Sequence, residues 1–451
     1  MNLRKLDISI ATRAVAAAAV VVIAFVGCDA AMPGAIGGKG GTGGVAAGPA
    51  PGVSQDSIKV VFVGTDLTAT KELTGFTTAD TGDGKAQVQA IQEYINANGG
   101  IGGRKLEAIY RNYEASNDSP AEEEKLCNQI TQDDKAFAVV LTGQFQSNAR
   151  PCYAQRNTLV LDATLLASDK STFDSLAPYL WSASFPVYDD FVGAFMTSLK
   201  TQGFFEGAST VGVVAVDNPG NRNVYASLVQ PKLAEYGVTP TIGWVDTTDL
   251  GTLNMGTSQA ALEFRTKGIK QVFFLGGARL APFFMTSAAA QEYTARYAVS
   301  SFDNPTWMVA NTATVPPAAL KGMVGIGFNP GQDVPDSQYP FPSTDAEREC
   351  VGIFASAGIS FETRENARVA LTYCDSARLL KAAAAKISGD LNAATFSSAA
   401  QSLGNEYQPS SNFGGSAGPG RYVIAGTYRQ MAYDEQCNCF TYNGPEVPFV
   451  S

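Results

Sequence analysis

Ile58-Lys59-Val60-Val61-Phe62-Val63-Gly64 is a nearly continuous apolar run with β-branched residues, the pattern of a strand covered on both faces. After a polar loop, Ala86, Val88, Ala90, Ile91 and Ile95 recur at helical spacing. Asn96-Ala97-Asn98-Gly99-Gly100 then stops the helix, because glycine tolerates the left-handed cap. Leu106-Glu107-Ala108-Ile109-Tyr110 reads as the next strand. Strand, helix and strand in this order make a crossover unit. Such units build parallel sheets with ligand sites at the carboxyl ends of the strands. The stretch contains no GxGxxG and no GxxxxGK[ST], so nothing marks it for a dinucleotide or a nucleoside triphosphate.

Outward from this unit the alternation continues. Asp118-Ser119-Pro120 starts a helix that runs to Thr131, with Glu122 to Glu124 favouring its first turn. A strand follows at 136–141, then a polar loop at 142–148, a helix from Ala149 and a strand at 159–162. Beyond a Pro- and Trp-containing break at 176–187, helices at 190–202, 223–236, 258–266 and 282–293 alternate with strands at 211–216, 242–245, 271–275 and 296–300. So many repeats exceed what one core supports, and the break favours two lobes. A Pro/Gly/Asp loop at 328–343 leads into helices at 344–357 and 363–387 and a shorter one from Leu391. The tail at 421–433 alternates well enough for edge or hairpin strands.

With 451 residues, 45% hydrophobic and 16% charged, the chain is long enough for two globular domains. A formal charge of −10 argues against unaided binding to nucleic acid. There is no histidine, which excludes a Ser-His-Asp triad, a Cys-His pair and a His-ligated zinc. No metal site or cofactor is implied.

At the amino terminus Arg4, Lys5 and Arg13 precede an apolar run from Ala14 to Val26, then Gly27 and Cys28. Length and flanks fit an export signal over 1–27. Phe25-Val26-Gly27-Cys28 resembles a bacterial lipobox with Phe25 where leucine is usual, implying cleavage before Cys28 and lipidation of its thiol. An uncleaved membrane anchor is the alternative, and either reading puts the body outside the cytoplasmic membrane. Residues 28–55, with "GAIGGKGGTGG" at their centre, bury little and read as a flexible tether or a disordered leftover. Six further cysteines in an exported chain favour disulfides over a catalytic thiol. Sequence alone permits fifteen pairings; placement suggests Cys127 with Cys152, Cys350 with Cys374 across a helical hairpin, and a tight Cys437–Cys439 bridge, with a CxC metal site shared with other cysteines as the poorer alternative.

"AIQEYINANGGIGGRKLEAIYRNYEAS" resembles the first helix and second strand of type I periplasmic-type solute-binding proteins, and is most similar to the branched-chain amino-acid branch of ABC-importer receptors. Ile95-Asn96-Ala97-Asn98-Gly99-Gly100-Ile101-Gly102-Gly103-Arg104-Lys105 carries the likeness, which extends more loosely over residues 56 to 450. The resemblance implies an α/β, two-lobed fold with a mostly parallel, helix-flanked sheet in each lobe and three hinge crossovers. These are placed near 183, 327 and 406, so that 56–183 and 328–405 form lobe 1 and 184–327 and 406–451 form lobe 2. A disulfide across the early loop holding Cys127 and Cys152 is also implied. So are a small-molecule ligand, a membrane permease with its ATPases, and a monomer held at the membrane by its lipid.

In such a fold the cleft is lined by strand-end loops and helix amino termini, whose free N–H groups suit carboxylates. Thr142-Gly143-Gln144-Phe145-Gln146-Ser147 and Asp162-Ala163-Thr164 are such places, and they resemble the family's two first-lobe ligand loops. Gln146, Ser147, Ala163 and Thr164 are therefore expected to hold a ligand's carboxylate. In the second lobe Asn218 and Asn221 stand where the family has a Tyr-Gly segment, and Gly277 lies in a glycine loop after a strand. Arg279 either faces the cleft and attracts an anion or caps a neighbouring carbonyl. Asp303 is the candidate for a ligand's ammonium; the alternative is an Asx turn before Pro305.

A solute-binding receptor for an amino acid, small carboxylate or amide is the leading reading, with a sensor of the same mechanics as the alternative. A hydrolase would want converging carboxylates. Asp162, Asp217 and Asp303 each fall at a strand end, but without hydrolase motifs.

Overall fold

The computed structural model describes residues 50–449. The export segment 1–27, Cys28 and the tether up to residue 49 lie outside the described residues. Residues 50–55, expected to belong to the flexible tether, are instead part of the first lobe. Lys59 N donates to Gly52 O at 2.9 Å, Val53 bridges Ile58, and Arg104 Nε donates to Ser54 O at 2.8 Å.

The first lobe is a five-stranded parallel sheet of β1 (Ser57–Asp66), β2 (Lys105–Glu114), β3 (Ala138–Leu141), β4 (Leu159–Asp162) and β5 (Leu180–Trp181), ordered β2-β1-β3-β4-β5. Val60, Val61, Phe62 and Val63 of β1 are fully buried, as a strand covered on both faces requires. The helix Gly84–Ala97 crosses from β1 to β2, capped by the Asp83 carboxylate on Lys85 N and Ala86 N, and buries Val88, Ala90, Ile91 and Ile95. It ends where Gly100 N returns to Ile95 O at 2.8 Å. Gly100 has φ +69°, and a Cβ there would lie 2.1 Å from Arg104 O, so only glycine fits.

The second lobe contains β6 (Thr210–Val216), β7 (Thr239–Val245), β8 (Gln271–Leu275), β9 (Arg296–Ser300), β10 (Val324–Gly327), β11 (Thr427–Asp434), β12 (Cys439–Tyr442) and β13 (Val447–Pro448). Their order is β12-β11-β10-β9-β8-β6-β7, with β13 paired to β11. Strands β6 to β10 run parallel, and the tail strands β11 and β12 add antiparallel. The Cys437–Cys439 disulfide closes the turn between those two tail strands. Cys127–Cys152 and Cys350–Cys374 lie in the first lobe.

Each lobe has its own core. Ala183 packs with the first and Phe185 with the second. Phe328 and Val334 still belong to the second lobe, whereas Cys350 belongs to the first. The last passage differs most from expectation. Tyr407, Ala417 and Ile424 stay in the first core, and the chain crosses between Ile424 and Tyr428 rather than near 406. The physical reason is a buried carboxylate. Asp375 accepts from Ser410 N at 2.6 Å and from Ser411 N and Oγ at 3.0 and 2.7 Å, while Val423 bridges Ser182 beside β5.

Candidate functional site

The order of the first sheet reverses between β1 and β3, and that of the second between β6 and β8. Loops diverge at such switch points and leave a crevice beyond the strand carboxyl ends. A cavity of about 520 Å³ lies between the lobes at this level. Its first-lobe wall includes Thr65 and Asp66 after β1, Thr142 and Gly143 after β3, and Ala163 after β4; the second-lobe wall includes Ala278 and Arg279 after β8 and Trp307 after β9. Thr65 Oγ1 donates to Thr142 O at 2.7 Å and Thr142 Oγ1 to Val63 O at 2.7 Å, tying the two strand ends together. The Tyr110 hydroxyl fits beside Gly64, where a Cβ would come within 2.2 Å of it.

Contacts between the lobes ring this cavity. Gln146 Nε2 donates to Thr247 O at 3.0 Å, and Arg279 Nη2 to Asp118 Oδ2 at 2.9 Å. Thr77 N donates to Asn311 Oδ1 at 2.8 Å, and Asn311 Nδ2 returns to Thr77 O at 2.9 Å. The segment after β1 thereby reaches over the second lobe, where the Phe76 ring meets Trp307 and Phe283 edge-on with centroids 4.9 and 5.4 Å away.

Of the positions singled out in the sequence, Ala163 and Arg279 line the cavity. Arg279 is the cleft-facing alternative, but its charge is already engaged by Asp118 and its guanidinium lies 4.2 Å from the Phe145 ring centroid. Burial lowers its affinity for the proton, partly offset by Asp118. Gln146 sits at the rim, bonded to Asp118 and Thr247, and Ser147 faces solvent. Thr164 is buried beside the cavity, its hydroxyl donating to Asp162 Oδ1 at 2.7 Å and accepting from Arg150 Nη2. Asn218 caps the helix Pro219–Val224, and Asn221 Nδ2 donates to Val216 O. Gly277 is not among the lining residues but approaches the opposite lobe, its Cβ position 3.3 Å from Leu165 O.

Asp303 corrects the expected ammonium site. Its carboxylate turns back to accept from Ser300 N at 2.8 Å and Oγ at 3.0 Å, and burial raises its pKa to about 7. The hydrolase triangle also dissolves: Asp162 pairs with buried Arg150, Asp217 with Arg222, and none of the three acids lines the cavity. Among the described residues no three potential ligands gather as a metal site.

The family profile described as periplasmic binding protein matches residues 69–428. The chain belongs to the periplasmic binding protein family. A fatty acid ABC transporter substrate-binding protein from Thermomonospora curvata shares the fold with TM-score 0.61 at 16% identity, over 89% of this chain and 95% of that one. An ABC-transporter solute-binding protein from R. palustris in complex with 4-hydroxybenzoate gives 0.59 at 14%, over 87% and 96%. A Desulfitobacterium hafniense substrate-binding protein in complex with Leu gives 0.55 at 14%, over 86% and 100%. At this identity the likeness is one of fold. No curated protein matches the sequence.

This periplasmic binding protein also lines the cavity with polar groups that the sequence did not single out, the exposed Lys71 and the acids Asp66 and Asp80 among them. Arg368 and Gln332 line the cavity, as do Phe76, Phe283 and Trp307. Arg368 lies within a long amphipathic helix, where an arginine three residues after Glu365 reads as a surface pair. Gln332 falls in a Pro/Gly/Asp segment that reads as a linker. Neither carries a local signal, because each reaches the cleft only through the packing of one lobe's last segments on the other.

Proposed function

We propose that this chain is the extracytoplasmic solute-binding component of an ABC importer, capturing a small solute that bears a carboxylate or amide. The solute is held by hinge closure and handed to a membrane permease whose ATPases power uptake; the chain itself performs no chemistry. The observation that carries this reading is the cavity of about 520 Å³ walled by both lobes and ringed by hydrogen bonds between them. Its volume falls in the range of sites that enclose small molecules. A guest touching both walls favours the closed form, and only that form presents the joined lobe faces to a partner.

The similar structures include the substrate-binding protein of a fatty acid ABC transporter and complexes with 4-hydroxybenzoate and Leu, which supports capture of a small carboxylate-bearing solute. The amino-terminal signal and Cys28 support attachment outside the cytoplasmic membrane by a lipid, with residues 29–49 as the tether.

A thermal-shift screen of the full chain against amino acids, aliphatic and aromatic carboxylates and amides tests the reading, since a ligand of the native state raises apparent stability. One chemical class should raise Tm and contract the molecule in small-angle scattering. Absence of both effects across the screen would count against capture.

A further inference from the structure

We propose that Arg368 and Gln332 form the anion anchor of the cleft, and that the solute is an apolar monocarboxylate whose body lies against Phe76, Phe283 and Trp307. The proposal rests on the capture reading and names its substrate class.

Three arginines near the cleft differ in how their charge is met. Arg279 has Asp118 and Thr247 O. Arg364 is saturated by Glu347, Asp336, Tyr339 O and Pro340 O. Arg368, one helical turn further on, has a 3.3 Å bond to Glu365 O and the Glu365 carboxylate at 3.6 Å, too long for a hydrogen bond. Its side chain is only 14% exposed and borders the cavity. A guanidinium buried with so little compensation calls for an anion, and its planar fork matches a carboxylate.

Gln332 is the independent second observation. It is 6% exposed and lines the same cavity, and its Oε1 is buried without a partner. Its backbone N donates to Asn329 O, but its side-chain amide makes no hydrogen bond with the described residues. A Cβ on the preceding Gly331 would lie 3.3 Å from Arg368 Cβ, so this turn packs directly against the arginine. The buried Oε1 is an acceptor and meets no anion; the group that can donate to a carboxylate oxygen is Nε2–H, which makes no hydrogen bond with the described residues.

The apolar part of the guest follows from what surrounds the anchor. Thr306 Oγ1 donates to Glu365 Oε1 at 3.2 Å, holding the helix of Trp307 against the helix of Arg368. Phe76 and Phe283 complete an aromatic wall with Trp307. The lining residues of the second lobe include no acid, because Asp303 is turned into its own capping turn. On the first-lobe wall, Asp66 accepts from Thr68 N at 2.8 Å and Asp80 from Gly82 N at 2.9 Å. An ammonium beside Phe283 and Trp307 would therefore find no acid on the second-lobe wall, whereas the apolar body of a monocarboxylate needs none there.

Calorimetric titration of the full chain with hydrocinnamate, octanoate, hydrocinnamamide, L-phenylalanine and L-leucine tests the proposal. Hydrocinnamate or octanoate should bind, with the neutral amide weaker by roughly 100-fold. Arg368→Gln should lose roughly 100-fold for the carboxylate and little for the amide, Arg368→Lys should recover part of that loss, and Gln332→Ala should lose roughly 10-fold. Circular dichroism and Tm establish that each variant is folded; should Arg368→Gln not fold, the Arg368→Lys and Gln332→Ala titrations decide. Equal carboxylate affinity in the wild type and the folded anchor variants would overturn the anchor. Tighter binding of phenylalanine or leucine than of either monocarboxylate would overturn the solute class while leaving capture intact. Absence of binding by all five would overturn this proposal, and capture would then stand or fall on the broader screen.

Discussion

Arg279 of the second lobe donates from Nη2 to Asp118 Oδ2 of the first at 2.9 Å, across the mouth of the cleft. Both partners are largely shielded from solvent: the Asp118 side chain is 1% exposed and that of Arg279 13%. Asp118 is further held by Tyr113 Oη at 2.8 Å and by Gln146 Nε2 at 2.8 Å. Removing one member of a buried pair is normally severe because the other charge is stranded. On the proposed hinge motion the stranded charge has an exit, since opening returns it to water.

The cost of breaking this pair should therefore appear in the open–closed balance rather than in the fold. Arg279→Gln is expected to weaken solute affinity by roughly 10-fold, because the competent closed form is less populated. Small-angle scattering should show a larger radius of gyration for the ligand-free variant. An unchanged radius and unchanged affinity would show that the pair does not govern closure.

Phe76 belongs to the segment after β1 and meets Trp307 and Phe283 of the opposite lobe. Phe76→Ala removes an aromatic contact made only when the lobes are together, so affinity should fall by about 10-fold. Faster ligand release in stopped-flow fluorescence should account for most of the loss, since closing contacts act chiefly on dissociation.

Glu123 is buried near Asp118, and burial followed by the Asp118 charge raises its pKa from 4.5 to about 8. A carboxyl whose folded pKa exceeds its unfolded one binds more protons when folded. Its contribution to stability is complete below pH 4.5 and is lost as pH rises towards 8. The slope for one such group is at most about 1.4 kcal/mol per pH unit. Glu123→Gln should flatten denaturant midpoints across that window. An unaltered pH profile would show that Glu123 does not titrate in this way.

The Cys127–Cys152 disulfide spans 25 residues in the first lobe. Replacing both cysteines with alanine should lower stability by about 3 kcal/mol, mainly by freeing the unfolded chain. Titration of the folded double variant should give nearly the parent affinity, because neither cysteine borders the cavity.

How much of this could be read in advance depended on whether the signal was local. The crossover unit from Ile58 to Tyr110 was legible because burial on both faces and helical spacing leave their mark on consecutive residues. The loops after β3 and β4 were correctly sought as strand ends, yet only Ala163 of the residues chosen there faces the cavity. Ser147 turns outward, and Thr164 is engaged by Asp162 and Arg150. Loop position locates a residue at the cleft, but hydrogen-bond competition decides whether its polar group is free.

Apolar periodicity, glycine stops and the Pro- and Trp-containing break by themselves pointed to a two-lobed α/β chain, because those properties act between near neighbours. Only the tertiary structure decided where the chain last crosses between lobes, which acids are spent on caps and ion pairs, and that Arg368 and Gln332 meet at the cavity. The physical reason is that a charge is compensated by whatever lies within a few ångströms in space, and those neighbours come from distant parts of the chain.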